Sequence, residues 1–147
     1  MKVKLWGVRG SLPTPLTQEM VRAKIDAVVQ RMSPQDLENS DSRTRFLANL
    51  PSWLYGTVGG NSSCVELTSD EGATIILDAG TGIRSLGKKL IDSGVKTIHL
   101  FLSHFHWDHI QGLPFFDPAY RSDTTLHIYS AQENAYELLD MQMQEAF

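Results

Sequence analysis

The sequence predicts an α/β fold, because strand-like and helix-like segments alternate along most of its 147 residues. Two short apolar segments, SCVELTS (63–69) and ATIILDAG (73–80), are bounded by turn residues and are typical of strands. Directly after them, Ile83, Leu86 and Leu90 recur at helical spacing. The hydrophobic fraction of 41% and the charged fraction of 20% are those of an ordinary globular domain. A sandwich of helices and sheet is therefore favoured over an all-α or all-β fold.

The N-terminal segment KVKLWG (2–7) alternates Val3 and Leu5 with lysines, which predicts a strand with one buried face. The following segment GVRGSLPTP (7–15) contains two glycines and two prolines and is expected to be a loop.

A helical insertion is predicted over residues 16–55, between the first two strands. Apolar residues recur at helical spacing from Thr17 to Met32. Ser33, Pro34 and Asp36 then form a capping-box pattern that predicts a second short helix. We expect an ordered helical hairpin that covers the sheet or shapes the entrance to the site.

The second half of the chain continues the alternation. The turn DEG joins the strands at 63–69 and 73–80, and the run 74–77 is apolar on both faces, which predicts a strand covered on both sides. The helix that begins near Ile83 is expected to end at Gly94. Two more strands, TIHLFLS (97–103) and TTLHIYS (124–130), and a closing helix from about Ala131 complete the pattern.

Composition excludes several classes of protein. The single cysteine, Cys64, rules out an internal disulfide and fits a reducing compartment. No run approaches the roughly 20 apolar residues of a membrane span, and the N-terminus lacks the apolar core of a signal peptide. The net charge of −4 gives no support for a general nucleic-acid binder. We expect a cytoplasmic protein with no membrane partner.

The segment LSHFHWDHIQG (102–112) gathers His104, His106, Asp108 and His109 into six positions after a predicted strand. In extended backbone, His104 and His106 project to the same side and offer two imidazoles to one ion. Asp108 and His109 are neighbours and point apart unless the backbone turns sharply, so they are expected to serve a second ion. Imidazole with carboxylate suits zinc, with manganese or iron as alternatives. We interpret the cluster as a metal site and the mid-strand His99 and His127 as structural.

The segment HFHWDH matches the His-x-His-x-Asp-His motif of the metallo-β-lactamase superfamily, whose members are mostly binuclear metal hydrolases. The segments GVRGS, GGNSSC, ILDAGTG and SHFHWDHIQGLPFF agree in order, so the sequence resembles this superfamily outside the insertion at 16–55. The tryptophan at 107 and the following GLPFF resemble a branch near tRNase Z and the cyclic-phosphate phosphodiesterases.

The resemblance implies an αββα sandwich and a set of site residues. His104 and His106 would bind the first metal ion, and Asp108 and His109 the second. Asp108 would also be catalytic, through contact with the attacking hydroxide that the two ions generate from water. Asp78 would support the motif loop from behind the ligands. Members of the superfamily carry a second half with further ligands, and this chain resembles the N-terminal half alone.

The resemblance also implies a function. Hydrolysis of a small phosphodiester or an RNA end is the first expectation, because GVRGS resembles the N-terminal loop of the phosphodiesterase branch. The alternatives are thioester or lactam hydrolysis, and a metal-binding or interaction module without turnover. The 147 residues alone are expected to be poorly active. A homodimer or a missing C-terminal half is the expected protein partner.

Other residues near the motif receive structural interpretations from the sequence. Asp78, which precedes AGTGIR, is also a candidate helix N-cap, and Ser103 is interpreted as a turn residue. The glycines and Asn61 of GGNSSC suit a tight turn near the site. Cys64 is interpreted as a small buried strand residue and not as a nucleophile.

Overall fold

The computed structural model describes residues 1–56 and 60–143 of the chain, and its architecture is α/β, as the sequence predicts. Five strands form one mixed sheet in the order β1-β2-β3-β4-β5. They are β1 (Lys2–Gly7), β2 (Cys64–Thr68), β3 (Thr74–Leu77), β4 (Thr97–Leu102) and β5 (Thr125–Ser130). The α-helices within the described residues are α1 (Gln18–Val29), α2 (Ser40–Asn49), α3 (Ile83–Asp92), α4 (Trp107–Ile110) and α5 (Ala135–Met143).

The sheet changes direction at β3. Strands β1, β2 and β3 pair antiparallel, whereas β4 runs parallel to β3, and β5 runs parallel to β4. Because parallel strands end at the same edge, the chain segments that follow β3 and β4 emerge side by side. This edge carries Asp78, directly after β3, and Ser103, directly after β4.

Helix α3 covers one face of the sheet and forms the core with it. Ile83, Leu86 and Leu90 lie on one side of α3 and are fully buried, as the helical spacing predicts. They pack in one cluster with sheet residues such as Ile76 and Leu100, which are also fully buried. The chain leaves α3 through Gly94, whose φ of 70° is a left-handed conformation that glycine adopts without strain. The predicted helix end is confirmed.

Two predictions about burial are wrong for residues on the opposite face of the sheet. Val3 and Leu5, expected to be the buried side of β1, are 58% and 62% exposed. The run 74–77, expected to be covered on both sides, buries Ile76 on the α3 face and leaves Leu77 37% exposed on the other. Alternate strand residues face opposite sides, and within the described residues α3 covers only one of them. The apolar patterns were correctly identified as strands, but one apolar row faces outward.

A buried carboxylate ties α3 to the first two strands. The side chain of Glu66 on β2 is only 4% exposed, and it pairs with Lys89 of α3. It also accepts a hydrogen bond of 2.9 Å from Nε1 of Trp6 on β1. A buried charge is tolerated only when it is paired and hydrogen-bonded, and this one has both partners.

Residues Pro15–Val58 form a compact unit of their own, separate from the unit that holds the sheet. Helix α1 starts at the cap residue Thr17, whose hydroxyl accepts a hydrogen bond from the backbone of Met20 at 3.3 Å. The carboxylate of Asp36 accepts hydrogen bonds from the backbone and hydroxyl of Ser33, at 2.9 and 2.7 Å. The predicted helices are confirmed, and their function as a cover or an entrance stays a prediction.

The closing helix begins later than the sequence indicates. It was expected from about Ala131, but α5 begins at Ala135, because the Ser130 side chain accepts a hydrogen bond from the Gln132 backbone and holds a turn there. No helix in residues 1–56 or 60–143 is both long and apolar enough to cross a membrane.

The chain after β3 and the chain after α4 touch at two glycines. A Cβ atom on Gly112 would lie 2.1 Å from the carbonyl oxygen of Gly80. The backbone N–H of Gly112 donates to the carbonyl oxygen of Ala79 at 2.8 Å, so this close approach is also hydrogen-bonded. A side chain at Gly112 would push the two loops apart, and one at Gly80 would meet the carbonyl oxygens of Asp108 and Ser63 at 2.5 and 2.6 Å.

We predict that Gly112→Ala lowers the free energy of unfolding by about 3 kcal/mol, because a backbone oxygen cannot move aside as a flexible side chain can. Gly10→Ala is the matched control, since a Cβ atom there meets nothing within 4 Å. Chemical denaturation of both variants measures the difference. Equal stability of the two variants would contradict the close packing of Gly80 and Gly112.

Candidate functional site

The histidine cluster occupies the turn between β4 and α4. His104 and His106 follow β4 directly, and His106 is the extended residue that precedes α4, with φ of −66° and ψ of 146°. The backbone N–H of His109 then donates to the carbonyl oxygen of His106 at 2.9 Å, which closes the turn. The sharp turn that the sequence left open is therefore present.

This turn brings all four motif residues together. The ring centroid of His104 lies 4.5 Å from that of His106 and 4.0 Å from that of His109. Nε2 of His109 lies 3.2 Å from Oδ2 of Asp108, so these two neighbours point toward each other and not apart. His104 and His106 are exposed, whereas Asp108 is buried. The cluster therefore has an open side and a buried side.

Asp78 supports this turn from the end of β3. One carboxylate oxygen accepts hydrogen bonds from the backbone N–H and the hydroxyl of Ser103, both at 2.8 Å. The other lies 2.8 Å from Nδ1 of His109. Asp78 has a φ of 62°, an uncommon backbone conformation for a residue other than glycine. The N-cap interpretation is wrong, because the cap residue of α3 is Gly82.

Hydrogen bonding keeps Asp78 ionised. Burial raises the pKa of this carboxyl, but the hydrogen bonds from Ser103 and His109 outweigh burial and bring the pKa below its usual value of 3.8. A carboxylate that holds Nδ1–H of a histidine leaves Nε2 of that ring as an electron-pair donor. Asp78 therefore fixes His109 in the tautomer that a metal ligand needs.

Ser103 takes part in the site, although the sequence indicated only a turn residue. Besides its two contacts with Asp78, its hydroxyl lies 3.0 Å from Nδ1 of His104 and 3.4 Å from Nδ1 of His109. It thus joins the supporting carboxylate to two rings of the cluster. Its position between the last strand residue and the first motif histidine was the signal available in the sequence.

The imidazole and carboxylate groups of the cluster are suitable ligands for a divalent metal ion, and part of their geometry also fits one. Two ligands about 2.0–2.1 Å from one ion at a tetrahedral angle are roughly 3.3 Å apart. The 3.2 Å between His109 Nε2 and Asp108 Oδ2 matches that separation. Within residues 1–56 and 60–143, no three histidine, cysteine or carboxylate side chains are arranged to hold one ion together. The loop thus supplies suitable ligand types and one well-spaced pair.

The segment GGNSSC forms a second support for the motif. The carbonyl oxygen of Asn61 accepts hydrogen bonds from the backbone of Val8 and Arg9, at 3.0 and 2.9 Å. The hydroxyl of Ser62 accepts from the side chain of Gln111, just after the motif, at 3.0 Å. This segment therefore links the N-terminal loop to the motif, while its first glycine, Gly59, lies outside the described residues.

Cys64 has the environment of a structural residue. It is fully buried, as the sequence predicts. Burial, with the nearby negative charges of Asp78 and Glu66, raises the pKa of its thiol from 9.0 to about 12. The thiolate is the nucleophilic form of cysteine, so this residue is not a candidate nucleophile.

One comparison with known proteins identifies a family. A family model described as the Metallo-beta-lactamase superfamily matches residues 55–142, which is more than half of the chain and includes the cluster, Asp78 and Ser103. No curated protein and no solved structure gives a significant match to this chain.

The pKa of Cys64 predicts its reactivity. At pH 8 the native thiol should react with iodoacetamide at least a hundredfold more slowly than a free cysteine, because a rise of about 3 pKa units removes about 99.9% of its thiolate. Mass spectrometry of the alkylated protein follows the reaction, with the urea-unfolded chain as the control. Equal rates for native and unfolded protein would contradict the buried position.

Proposed function

The chain belongs to the metallo-β-lactamase superfamily, and from this membership we propose that it is a metal-dependent hydrolase. The superfamily consists generally of metal-dependent hydrolases that use divalent ions, often zinc. The observation that carries the proposal is the pair formed by His109 and Asp108, spaced as two ligands of one ion and braced by Asp78.

Two divalent ions, zinc first and manganese or iron as alternatives, are the proposed cofactors. His104 and His106 would hold one ion, and Asp108 and His109 the other. When bound, such ions lower the pKa of a water toward neutrality and neutralise charge that develops on the substrate. No separate strong base is then needed from the protein.

The residues of this chain have distinct roles in the proposed reaction. Asp108, buried beside His109, orients the attacking water through its carboxylate. Ser103 holds the rings of His104 and His109 in place, and Asp78 holds that of His109. A displacement of about 1 Å at a reacting centre can lower the reaction rate a hundredfold. The positions in which these two residues hold the histidine rings therefore affect the rate.

A phosphodiester, either a small one or an RNA end, is the proposed substrate. The support is the loop GVRGS, which resembles the phosphodiesterase branch near tRNase Z. This loop is hydrogen-bonded to Asn61, whose neighbour Ser62 accepts a hydrogen bond from Gln111 just after the motif. Thioester and lactam hydrolysis are the alternatives within the superfamily. Both exposed histidines face solvent, so the open side of the cluster is accessible to a substrate.

One observation favours a second candidate, a metal-binding module without turnover. Four motif residues give about two ligands to each of two ions, whereas catalytic zinc sites usually have three protein ligands. The part of the chain that the structure describes does not hold such a three-ligand group. Further ligands from a C-terminal half or a second subunit would complete the site.

We predict that His104→Ala/His106→Ala lowers the zinc retained after desalting to about half of the wild-type amount or less, because the ligands Asp108 and His109 of the other ion remain. Both imidazoles of the first proposed ion are lost in this variant. Asp78→Asn should weaken zinc binding about 10–100-fold, the usual effect of losing the partner of a ligand histidine. Elemental analysis and competition with a zinc-binding dye measure the two quantities.

The matched control is His99→Ala/His127→Ala, which removes the same number of imidazoles from mid-strand positions. It should retain zinc as the wild type does. If the motif variant retains zinc equally well, the metal site is assigned to the wrong residues. Circular dichroism of each variant separates loss of ligands from loss of fold.

We predict slow hydrolysis of bis-p-nitrophenyl phosphate by the 147-residue chain with added zinc or manganese, and no comparable hydrolysis of a thioester or a lactam. An incompletely held ion leaves the attacking water poorly positioned, so the rate should be at least a hundredfold below that of a complete site. Release of p-nitrophenolate is the measurement.

The motif variant His104→Ala/His106→Ala is the control for metal contamination and should be inactive. Preference for a thioester or a lactam would replace the proposed substrate class. Zinc binding without metal-dependent hydrolysis of any of the three substrates would favour the second candidate. Rapid turnover by the isolated chain would show that its own residues form a complete site.

A further inference from the structure

A cleft that contains three lysines lies between the edge strand β1 and helix α3. Its lining residues are Lys2, Val3 and Lys4 of β1, Glu66 and Thr68 of β2, and Lys89 of α3. We call it the lysine cleft. Its volume is about 520 Å³, within the range of roughly 300–1,000 Å³ that is usual for small-molecule pockets.

The lysine cleft is separate from the candidate metal site. Lys2 pairs with Thr68, and Thr68 pairs with Thr74, the first residue of β3. Asp78, which supports the motif turn, follows the other end of β3. A ligand in the cleft would therefore lie away from the motif histidines, and this inference does not depend on the proposed hydrolase activity.

Contacts beneath the cleft hold two of its lysines in place. Lys89 pairs with one carboxylate oxygen of Glu66, and the other oxygen accepts the hydrogen bond from Trp6. The ammonium of Lys4 stands over the ring of Trp6, with Nζ 4.0 Å from the ring centroid, which is a cation–π contact. Side chains that are held before binding lose less conformational entropy when a ligand arrives.

The ammonium groups of the cleft have unused hydrogen-bond donors. Within residues 1–56 and 60–143, neither Lys2 nor Lys4 has an acidic partner or a hydrogen-bond acceptor. An ammonium group carries three N–H donors, and Lys89 gives one of its three to Glu66. The cleft thus presents three positive charges against one carboxylate, although the whole chain has a net charge of −4.

Two structural explanations do not account for this arrangement. Lysines on an edge strand deter pairing with another sheet, but Lys89 lies on a helix and lines the same cleft. Neutralising the buried carboxylate of Glu66 requires one ammonium, and Lys89 supplies it. The charges of Lys2 and Lys4 are in excess of both needs.

We propose that the lysine cleft binds a small anion that carries a diphosphate group. Lysine binds phosphate in proteins as a point charge, and the hydroxyl of Thr68 is a further donor in the lining. Lys2 and Lys4 are two residues apart in one strand, so their Cα atoms are about 6.7 Å apart. Two lysines at this spacing can each contact one phosphate of a diphosphate. Free pyrophosphate and a nucleoside diphosphate share this group.

The test is isothermal titration calorimetry of the full 147-residue chain in EDTA, with inorganic pyrophosphate and, separately, with ADP. In Lys2→Gln/Lys4→Gln the dissociation constant should rise at least tenfold, because two charge-assisted contacts are lost. Arg84→Gln/Lys88→Gln removes the same charge from exposed positions of α3 outside the cleft and should change the constant less than twofold.

The single variant Lys2→Gln keeps every contact of Glu66 and Trp6 and should weaken binding at least threefold without loss of fold, as circular dichroism checks. Tighter binding of ADP than of pyrophosphate identifies a nucleotide as the ligand. Tighter binding of pyrophosphate identifies the free anion.

The fluorescence of Trp6 locates the bound anion. In a Trp53→Phe/Trp107→Phe background Trp6 is the only tryptophan, and a pyrophosphate that contacts Lys4 should change its emission with the dissociation constant that calorimetry gives. Unchanged emission on binding would contradict the assigned position.

Two further results would overturn the proposal. One is the absence of binding up to about 10 mM pyrophosphate. The other is equal weakening of binding in Lys2→Gln/Lys4→Gln and Arg84→Gln/Lys88→Gln, which would indicate general attraction by positive charge.

Discussion

The site depends on one carboxylate at the end of β3. Asp78 reaches Ser103 after β4 and His109 in α4, so two consecutive strands and the motif loop are held by a single side chain. The parallel pairing of β3 and β4 makes this possible, since it brings both strand ends to one edge. A left-handed backbone at Asp78 directs the side chain there, and the four hydrogen bonds of its carboxylate, with Ser63, Ser103 and His109, offset the cost of burial.

The chemistry of the site was predictable from the sequence, but its scaffold was only partly so. Four ligand-type residues within six positions identify the cluster, because that density has no common structural explanation. The backbone turn that directs Asp108 toward His109 depends on hydrogen bonds across α4, which no periodicity encodes. Ser103 was missed for a related reason: its partner Asp78 is 25 residues away, and only strand pairing brings them together.

The strands and helices of the sheet domain could be predicted from the local pattern of apolar residues. Which face of the sheet is packed against a helix could not be predicted in this way. Alternation of apolar and polar residues identifies β1 as a strand. The same alternation does not indicate which of its two faces a helix will cover. Glu66 illustrates the limit, because a carboxylate in a strand suggests the solvent side. Here the pairing with Lys89 and Trp6 allows this charge to lie under α3, while Val3 and Leu5 face outward.

The helical insertion leaves the sheet domain and returns to it at neighbouring points, since the backbone N–H of Thr14 donates to the carbonyl oxygen of Gly60 at 3.1 Å. The antiparallel pairing of β1 with β2 therefore does not depend on how many residues lie between those two atoms. Loop-closure entropy rises by only about 0.6 kcal/mol for each doubling of loop length. Proteins that share this sheet could consequently differ widely at this position, from a short hairpin to a whole added domain, with the strand register unchanged.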